Sequence, residues 1–248
     1  MTSVFSLDGR TALVTGSRGG IGRAIAVALA QAGADIVLHG HRDDLGEVEA
    51  EVRKAGRQSQ RWIFDLSDTA GLPEAAAALP DVDILVNNAG IIRRAPAAEH
   101  SFTDWRSVLD VNLDAVFLLS RAVGVRMLAR NHGKIISVAS MLSFQGGVQV
   151  PGYTAAKHGV AGLTKALACE WAASGVQVNA VAPGYVATDN TAALRADPAR
   201  EAEIRSRIPA GRWGRPDDIA GAVVFLASAA ADYVNGHVLA VDGGWLAR

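Results

Sequence analysis

Thr11-Ala12-Leu13-Val14-Thr15 runs directly into Gly16-Ser17-Arg18-Gly19-Gly20-Ile21-Gly22, after which apolar residues recur at Ile21, Ala24, Ile25, Ala28 and Leu29. A short apolar run, a cluster of glycines and then helical spacing predict a strand, a tight turn and an amphipathic helix. Glycine allows positive φ and a close approach of the backbone to an anion, and the start of a helix favours negative charge. Strand, turn and helix together are the context that dinucleotide binding demands. The glycine spacing, Gly-x-x-x-Gly-x-Gly, differs from the Gly-x-Gly-x-x-Gly fingerprint of the Rossmann fold.

Outward from this unit, short apolar runs recur at Ile36-Val37-Leu38, Trp62-Ile63-Phe64, Ile84-Leu85-Val86, Ile135 to Val138, Val176 to Val181 and Val238 to Val241, with helically spaced segments between them. Strands alternating with helices predict an α/β fold: a doubly wound parallel sheet, Rossmann-like, covered on both faces and closed by right-handed crossovers. Ligands of such sheets sit beyond the carboxyl ends of the strands. Asn87, Ser140 and Pro183-Gly184 each follow one of these ends.

Tyr153 and Lys157 lie one helical turn apart, thirteen residues after Ser140. A phenol is a poor acid-base group at neutral pH, with an unperturbed pKa near ~10. An ammonium on the same helical face favours the phenolate and lowers that value. Phenol, ammonium and hydroxyl together are suited to moving a proton to or from a carbonyl oxygen.

The chain has 248 residues, half of them hydrophobic and a fifth charged, with 24 Lys+Arg against 25 Asp+Glu. One domain spanning residues 1–248 is expected at this size, and the balanced charge points away from nucleic acid. Cys169 is the sole cysteine, which excludes a disulfide framework and fits a reducing cytoplasm. No leader-like segment opens the chain and no apolar run is long enough to span a membrane, so a soluble cytoplasmic protein is expected. The six histidines show no metal-ligand clustering and read as ordinary polar or packed residues, with no metal site. Residues 188–216, punctuated by Asp189-Asn190, Asp197-Pro198 and Gly214-Arg215-Pro216, form a polar excursion of the kind that serves as a lid or binding loop.

Thr15-Gly16-x-x-x-Gly20-Ile21-Gly22, Asn87-Asn88-Ala89-Gly90, Asn112, Ser140, Tyr153/Lys157 and Pro183-Gly184 occur in an order and at spacings that resemble the short-chain dehydrogenases/reductases. The resemblance covers essentially the whole chain. It implies that Tyr153 is the catalytic acid/base, that Lys157 lowers its pKa and holds the nicotinamide ribose, that Ser140 bonds the substrate oxygen, and that Asn112 orders a water leading to Lys157. It further implies a nicotinamide-dinucleotide site built from Gly16, Ser17, Arg18, Gly20, Ile21, Gly22, His41, Arg42, Asp65, Leu66, Asn87, Ala89, Gly90, Tyr153, Lys157, Pro183, Gly184, Val186 and Thr188, with Asp65 on the adenine amino group and Thr188 beside the carboxamide or pyrophosphate. The substrate loop falls at 188–216, and the last strand and tail lie at the subunit interface of a homotetramer. Trp245 either caps the core or, as the resemblance implies, reaches a neighbouring subunit or the substrate cleft.

The cofactor is NAD(H) or NADP(H). An acid about twenty residues past the glycine turn selects NAD, whereas arginine favours the 2′-phosphate of NADP. Gly40 stands where that acid would be, with Arg18 and Arg42 nearby, which tilts toward NADP. A narrower resemblance tilts toward NAD. Gly90-Ile91-Ile92-Arg93-Arg94, Ser140 to Gly147, Ile208 to Gly214, Asp232 to Gly236 and the terminal Asp242-Gly243-Gly244-Trp245-Leu246-Ala247-Arg248 are similar to the 2-dehydro-3-deoxy-D-gluconate 5-dehydrogenases, also called 2-deoxy-D-gluconate 3-dehydrogenases, and less closely to gluconate 5-dehydrogenases.

A sugar acid suits these residues. Its carboxylate calls for a guanidinium fork, from Arg93 or Arg94, and its hydroxyls for side chains such as Gln145 and Asn190. The rival among enzymes is a 3-oxoacyl or general carbonyl reductase. The rival of another class is a protein that senses NAD(P)H without turnover, and the intact Asn112, Ser140, Tyr153 and Lys157 set argues against it.

Overall fold

A computed structural model describes residues 3–248; Met1 and Thr2, the first residues of the segment read for a leader, lie outside the described residues. Seven parallel strands, β1 (Thr11–Val14), β2 (Asp35–Gly40), β3 (Ser59–Ile63), β4 (Ile84–Asn87), β5 (Gly133–Val138), β6 (Val176–Pro183) and β7 (Val238–Val241), form one sheet in the order β3-β2-β1-β4-β5-β6-β7. Strand order reverses between β1 and β4, which opens a crevice at their carboxyl ends. The glycine turn leaves β1 and the Asn87–Gly90 turn leaves β4, so both line this crevice.

Alternation along the strands explains why both faces are covered. In β1, Ala12 and Val14 pack into one apolar layer while Leu13 packs into the other; Ile84 and Val86 oppose Leu85 in the same way, and Ile36 and Leu38 oppose Val37. Successive side chains of a strand point to opposite faces, so a strand apolar at every position has to be buried on both. The first layer is filled by α1 (Gly20–Gln31), α2 (Gly46–Lys54) and α9 (Pro216–Ala227). The second is filled by α3 (Leu72–Ala77), α5 (Ala115–Ala129) and α6 (Pro151–Trp171).

Three further features position the site. The helix running from α4 (Phe102–Leu109) into α5 is interrupted at Asp110–Asp114 by a π turn, which the apolar pattern did not reveal. Residues 188–213 carry α7 (Ala192–Ala196) and α8 (Pro198–Arg207), the latter capped by Asp197, which accepts from Ala199 N and Arg200 N at 3.0 and 3.1 Å. The base of this excursion is closed by a single bridge, where Ala187 N donates to Gly214 O and Gly214 N donates to Tyr185 O. Among the described residues, no helix is long and apolar enough to cross a membrane.

Candidate active site

The glycine turn is built to approach an anion. Gly16 and Gly20 have φ of 64° and 54°, in the left-handed region where side chains are disfavoured. A Cβ on Gly22 would run into Gly16 O, so the helix can start this close to the turn only with glycine there. No side chain caps α1, and nothing lies within 4 Å of where a Cβ on Gly19 would project. Uncapped N–H groups facing open space, at the positive end of a twelve-residue helix, fit a pyrophosphate. Thr188 closes the other side, its Cγ2 lying 3.5 Å from a Cβ built on Gly20.

Two residues outside the predicted set hold this turn. Thr15 Oγ1 accepts from Asn88 N and Ala89 N at 2.9 and 3.0 Å, and Asn88 Nδ2 donates to Thr15 O at 2.8 Å. These bonds tie the turn after β1 to the turn after β4. Of the residues read as cofactor-binding, Ser17 points its hydroxyl away from the turn, onto His39 O at 3.1 Å, and Asn87 points inward, donating to Ser120 Oγ at 2.9 Å. Asp65 accepts from Ser67 N and Oγ through one oxygen, which holds its carboxyl below the ordinary value. Leu66 is buried beneath it. Arg18, His41 and Arg42 are exposed around the end of β2, with Arg18 3.6 Å from Asp44.

Ser140, Tyr153 and Lys157 converge beyond β5. Ser140 caps a 3-10 turn over Met141–Ser143, its Oγ accepting from Leu142 N at 3.1 Å, and Ser143 Oγ donates to Lys157 O at 2.7 Å. This turn therefore ties the serine to the helix that carries the other two. Lys157 is buried and donates to Val138 O at 2.6 Å. One of its three protons is spent there and two remain. Burial lowers its pKa to about 8.

The expected lowering of the Tyr153 phenol does not occur in this structure. Burial of the phenol pushes it above its usual value, outweighing hydrogen bonding with Ser140 and the charge of Arg94, both of which pull it down. The reason is that the pocket removes water from both groups: the same desolvation that raises an acid lowers the ammonium that was to stabilise it.

Asn112 sits in the π turn, fully buried. Its Oδ1 accepts from Ile91 N at 2.9 Å and its Nδ2 donates to Ile91 O at 2.7 Å. The side-chain amide is thus committed to one residue of the loop after β4. A Cβ on Gly90 would lie 2.9 Å from Asn112 Oδ1, so the loop hugs this amide only because residue 90 is glycine.

That loop brings the two arginines to the site on different terms. Arg93 Nε lies 3.5 Å from Asp104 Oδ1, whereas Arg94 enters no ion pair among the described residues and its charge acts on the Tyr153 phenol. Gln145 Oε1 accepts from Trp245 Nε1 at 3.4 Å. Trp245 is buried in its own chain against Tyr185, with the ring centroids 5.0 Å apart, and under Arg207, 4.3 Å from its ring centroid. Trp245 thus closes a small apolar cluster with Met141, Ile204 and Ile208, as the core-capping reading expects. Asn190 is exposed on the excursion, which touches the Ser140 turn through Ile204, Ile208 and Met141.

The family model described as Enoyl-(Acyl carrier protein) reductase matches residues 16–246. The chain belongs to the short-chain dehydrogenase/reductase family. It is 56% identical over 247 residues to the 2-dehydro-3-deoxy-D-gluconate 5-dehydrogenase of Bacillus subtilis (strain 168), an alignment covering 98% of this chain and 97% of that protein. A solved structure from Agrobacterium tumefaciens with bound NADP is 57% identical, has a TM-score of 0.94, and is matched over 99% of this chain and 100% of its own. The gluconate 5-dehydrogenase of Burkholderia cenocepacia J2315, solved in complex with NADP and tartrate, is 43% identical with a TM-score of 0.94 and 98% of each chain covered.

As a short-chain dehydrogenase/reductase, the protein is an NAD(P)-dependent oxidoreductase, and Ser140, Tyr153 and Lys157 converge beyond the carboxyl end of β5, the end of such a sheet where ligands bind.

Proposed function

We propose that the protein interconverts a secondary alcohol and a ketone on a sugar acid of the 2-dehydro-3-deoxy-D-gluconate or 2-deoxy-D-gluconate type. The observation that carries this reading is Arg94: an exposed guanidinium without an ion-pair partner among the described residues, whose charge reaches the phenol that would exchange a proton with the carbinol oxygen. A free fork whose charge reaches the reacting group suits a substrate whose carboxylate is a few carbons from its carbonyl. The relatives named for 2-dehydro-3-deoxy-D-gluconate support the same substrate class, and the tartrate in the gluconate enzyme is likewise a hydroxy acid.

In this reading, Tyr153 gives its proton to the substrate oxygen during reduction and takes one during oxidation, while Ser140 donates to the same oxygen and stabilises the charge that gathers there. Lys157 keeps one hydrogen bond on Val138 O and offers its other protons to a ribose hydroxyl. The nicotinamide, when bound, supplies or accepts the hydride. Asn112 holds Ile91 and so the loop bearing Arg94. Residues 188–216 act as a lid, with Asn190 facing the substrate and Thr188 the cofactor.

For the cofactor, the proposal is NADP(H). A Cβ on Gly40 would lie 2.9 Å from Arg42 O, which leaves no room for the acid that selects NAD, and Arg42 is exposed at the same corner. The bound NADP of the Agrobacterium structure supports this choice. The assembly is proposed to be a cytoplasmic homotetramer, with β7 and the tail between subunits.

The test is a panel of aldonates, ketoaldonates and size-matched neutral ketones, followed by nicotinamide absorbance with NAD(H) and NADP(H) separately. Turnover restricted to the acids, with lower KM for the phosphorylated cofactor, is expected. Turnover of the neutral ketones alone would replace this reading with a general carbonyl reductase.

A further inference from the structure

β2 is apolar through Ile36, Val37 and Leu38, and the next residue, His39, breaks the run while remaining buried. A buried imidazole loses the hydration of two ring nitrogens, and each needs a partner. Both have one. Gly16 N donates to Nδ1 at 3.0 Å, and Nε2 lies 3.0 Å from Phe64 O. A carbonyl cannot donate, so Nε2 carries the proton; Nδ1, which receives the Gly16 N–H, is bare. The contacts therefore select one neutral tautomer, and burial keeps the ring neutral by holding its pKa down to about 4. Trp62 packs on the imidazole with centroids 4.9 Å apart and is itself stacked on Phe64 at 5.8 Å, which fixes the plane of the ring.

The main chain of the same residue also takes part. Ser17 N and Ser17 Oγ both donate to His39 O, at 3.0 and 3.1 Å. His39 thus receives three hydrogen bonds from the glycine turn after β1 and donates one to the strand end that leads into the Asp65–Ser67 turn after β3. These two turns are the walls of the adenosine half of the cofactor site, and no other side chain among the described residues hydrogen-bonds to both Gly16 and Phe64.

We propose that His39 is a positioning residue that sets the separation of these two walls, and through it the affinity for the adenosine half of the dinucleotide. The inference rests on the reading of this crevice as a nicotinamide-dinucleotide site and adds to it a residue that does not touch the cofactor. A rigid ring with hydrogen bonds on two edges holds its partners at one distance. A flexible amide satisfies one partner at a time: asparagine reaches Gly16 and glutamine reaches Phe64.

The experiment compares wild type, His39→Asn and His39→Gln by titration with the dinucleotide and with an ADP-ribose fragment, alongside kcat at saturating cofactor, melting temperature and hydrogen exchange at the Gly16 amide. His39→Gln should weaken dinucleotide and fragment alike, by about tenfold, the loss of roughly one hydrogen bond's worth of preorganisation. Its kcat at saturation should stay near that of the wild type, and Gly16 should exchange faster. His39→Asn should fall between the two, because it restores the acceptor for Gly16. Equal affinity in all three proteins, or a loss confined to kcat, would overturn the assignment. So would equal weakening by both variants in step with a shared fall in melting temperature. If neither variant folds, nitrogen-labelled imidazole NMR on the wild type decides: a bare Nδ1 and a protected Gly16 amide support the proposal, and a protonated Nδ1 overturns it. A wild type that binds neither dinucleotide nor fragment would reject the cofactor reading itself, and the His39 assignment with it.

Discussion

The ammonium of Lys157 stands 5.5 Å from the centre of the Tyr153 ring, in a pocket that has stripped water from both groups. Burial pushes the phenol up and the ammonium down to about 8, so near neutral pH the pair holds its protons without forming an ion pair. The chemistry calls for a phenol able to part with its proton. Hydrogen bonding with Ser140 and the charge of Arg94 both pull the phenol toward parting with it.

A pH dependence follows for the cofactor. If the charged Lys157 holds the ribose, cofactor affinity should be full below about 8 and decline as pH rises through that value, because the ammonium loses its proton there. Titration of the wild type between pH 7 and ~10 measures this. Lys157→Met should bind more weakly at pH 7 and show no such decline.

The two arginines should separate. Arg94→Ala should raise KM for the sugar acid by roughly one to two orders of magnitude, about 1.5–3 kcal/mol for a hydrogen bond to a charged group, with KM for a neutral ketone unchanged. Arg94→Lys should recover part of the loss, since a point charge does not reproduce the fork. Arg93→Ala should change KM little, because Arg93 faces Asp104. Steady-state kinetics of the three variants, with the reverse ranking as the contradicting result, settles which arginine holds the carboxylate.

Acid stability should carry the signature of His39. Its pKa is about 4 in the folded chain against an ordinary 6.5, so the unfolded state takes up the proton first. The wild type should be fully stable with respect to this group above pH 6.5 and lose up to about 3 kcal/mol as pH falls toward 4. His41 lowers this pKa and Asp65 raises it, so both belong in the same titration. Chemical denaturation of wild type and His39→Asn across that range should show a steeper decline in the wild type.

Arg42→Ala should raise KM for NADP by about tenfold and leave KM for NAD nearly unchanged, since only the former has a phosphate for the guanidinium to bind. The discrimination should shrink with added salt because Arg42 is exposed. Equal effects on both cofactors would place the 2′-phosphate elsewhere.

Much of this was legible from residue order. Ile36-Val37-Leu38 and Ile84-Leu85-Val86 read as strands buried on both sides because every position is apolar, and both are. Gly16, Gly20 and Gly22 announced their turn. What could not be read depended on partners distant in sequence. His39 looks like any packed histidine until Gly16 and Phe64 are brought to its two nitrogens. Asn88 fastens the turn after β4 to Thr15, a partner 73 positions away. The choice between Arg93 and Arg94 rests on where Asp104 lies, and the π turn around Asn112 leaves no mark on an apolar period. The lowered phenol expected from the Tyr153/Lys157 spacing failed for a related reason: spacing places two groups on one helical face and says nothing of how much water that face retains.

The central claim is that Tyr153 exchanges the proton with the carbinol oxygen of a sugar acid. Its most direct test is turnover of the sugar acid by Tyr153→Phe, with cofactor affinity measured on the same preparation. Removing the transferable proton while keeping the ring should lower kcat by roughly a thousandfold, within the range for positioned acid-base groups, and leave cofactor binding near that of the wild type. A Tyr153→Phe protein that retains most of the wild-type rate would contradict the account.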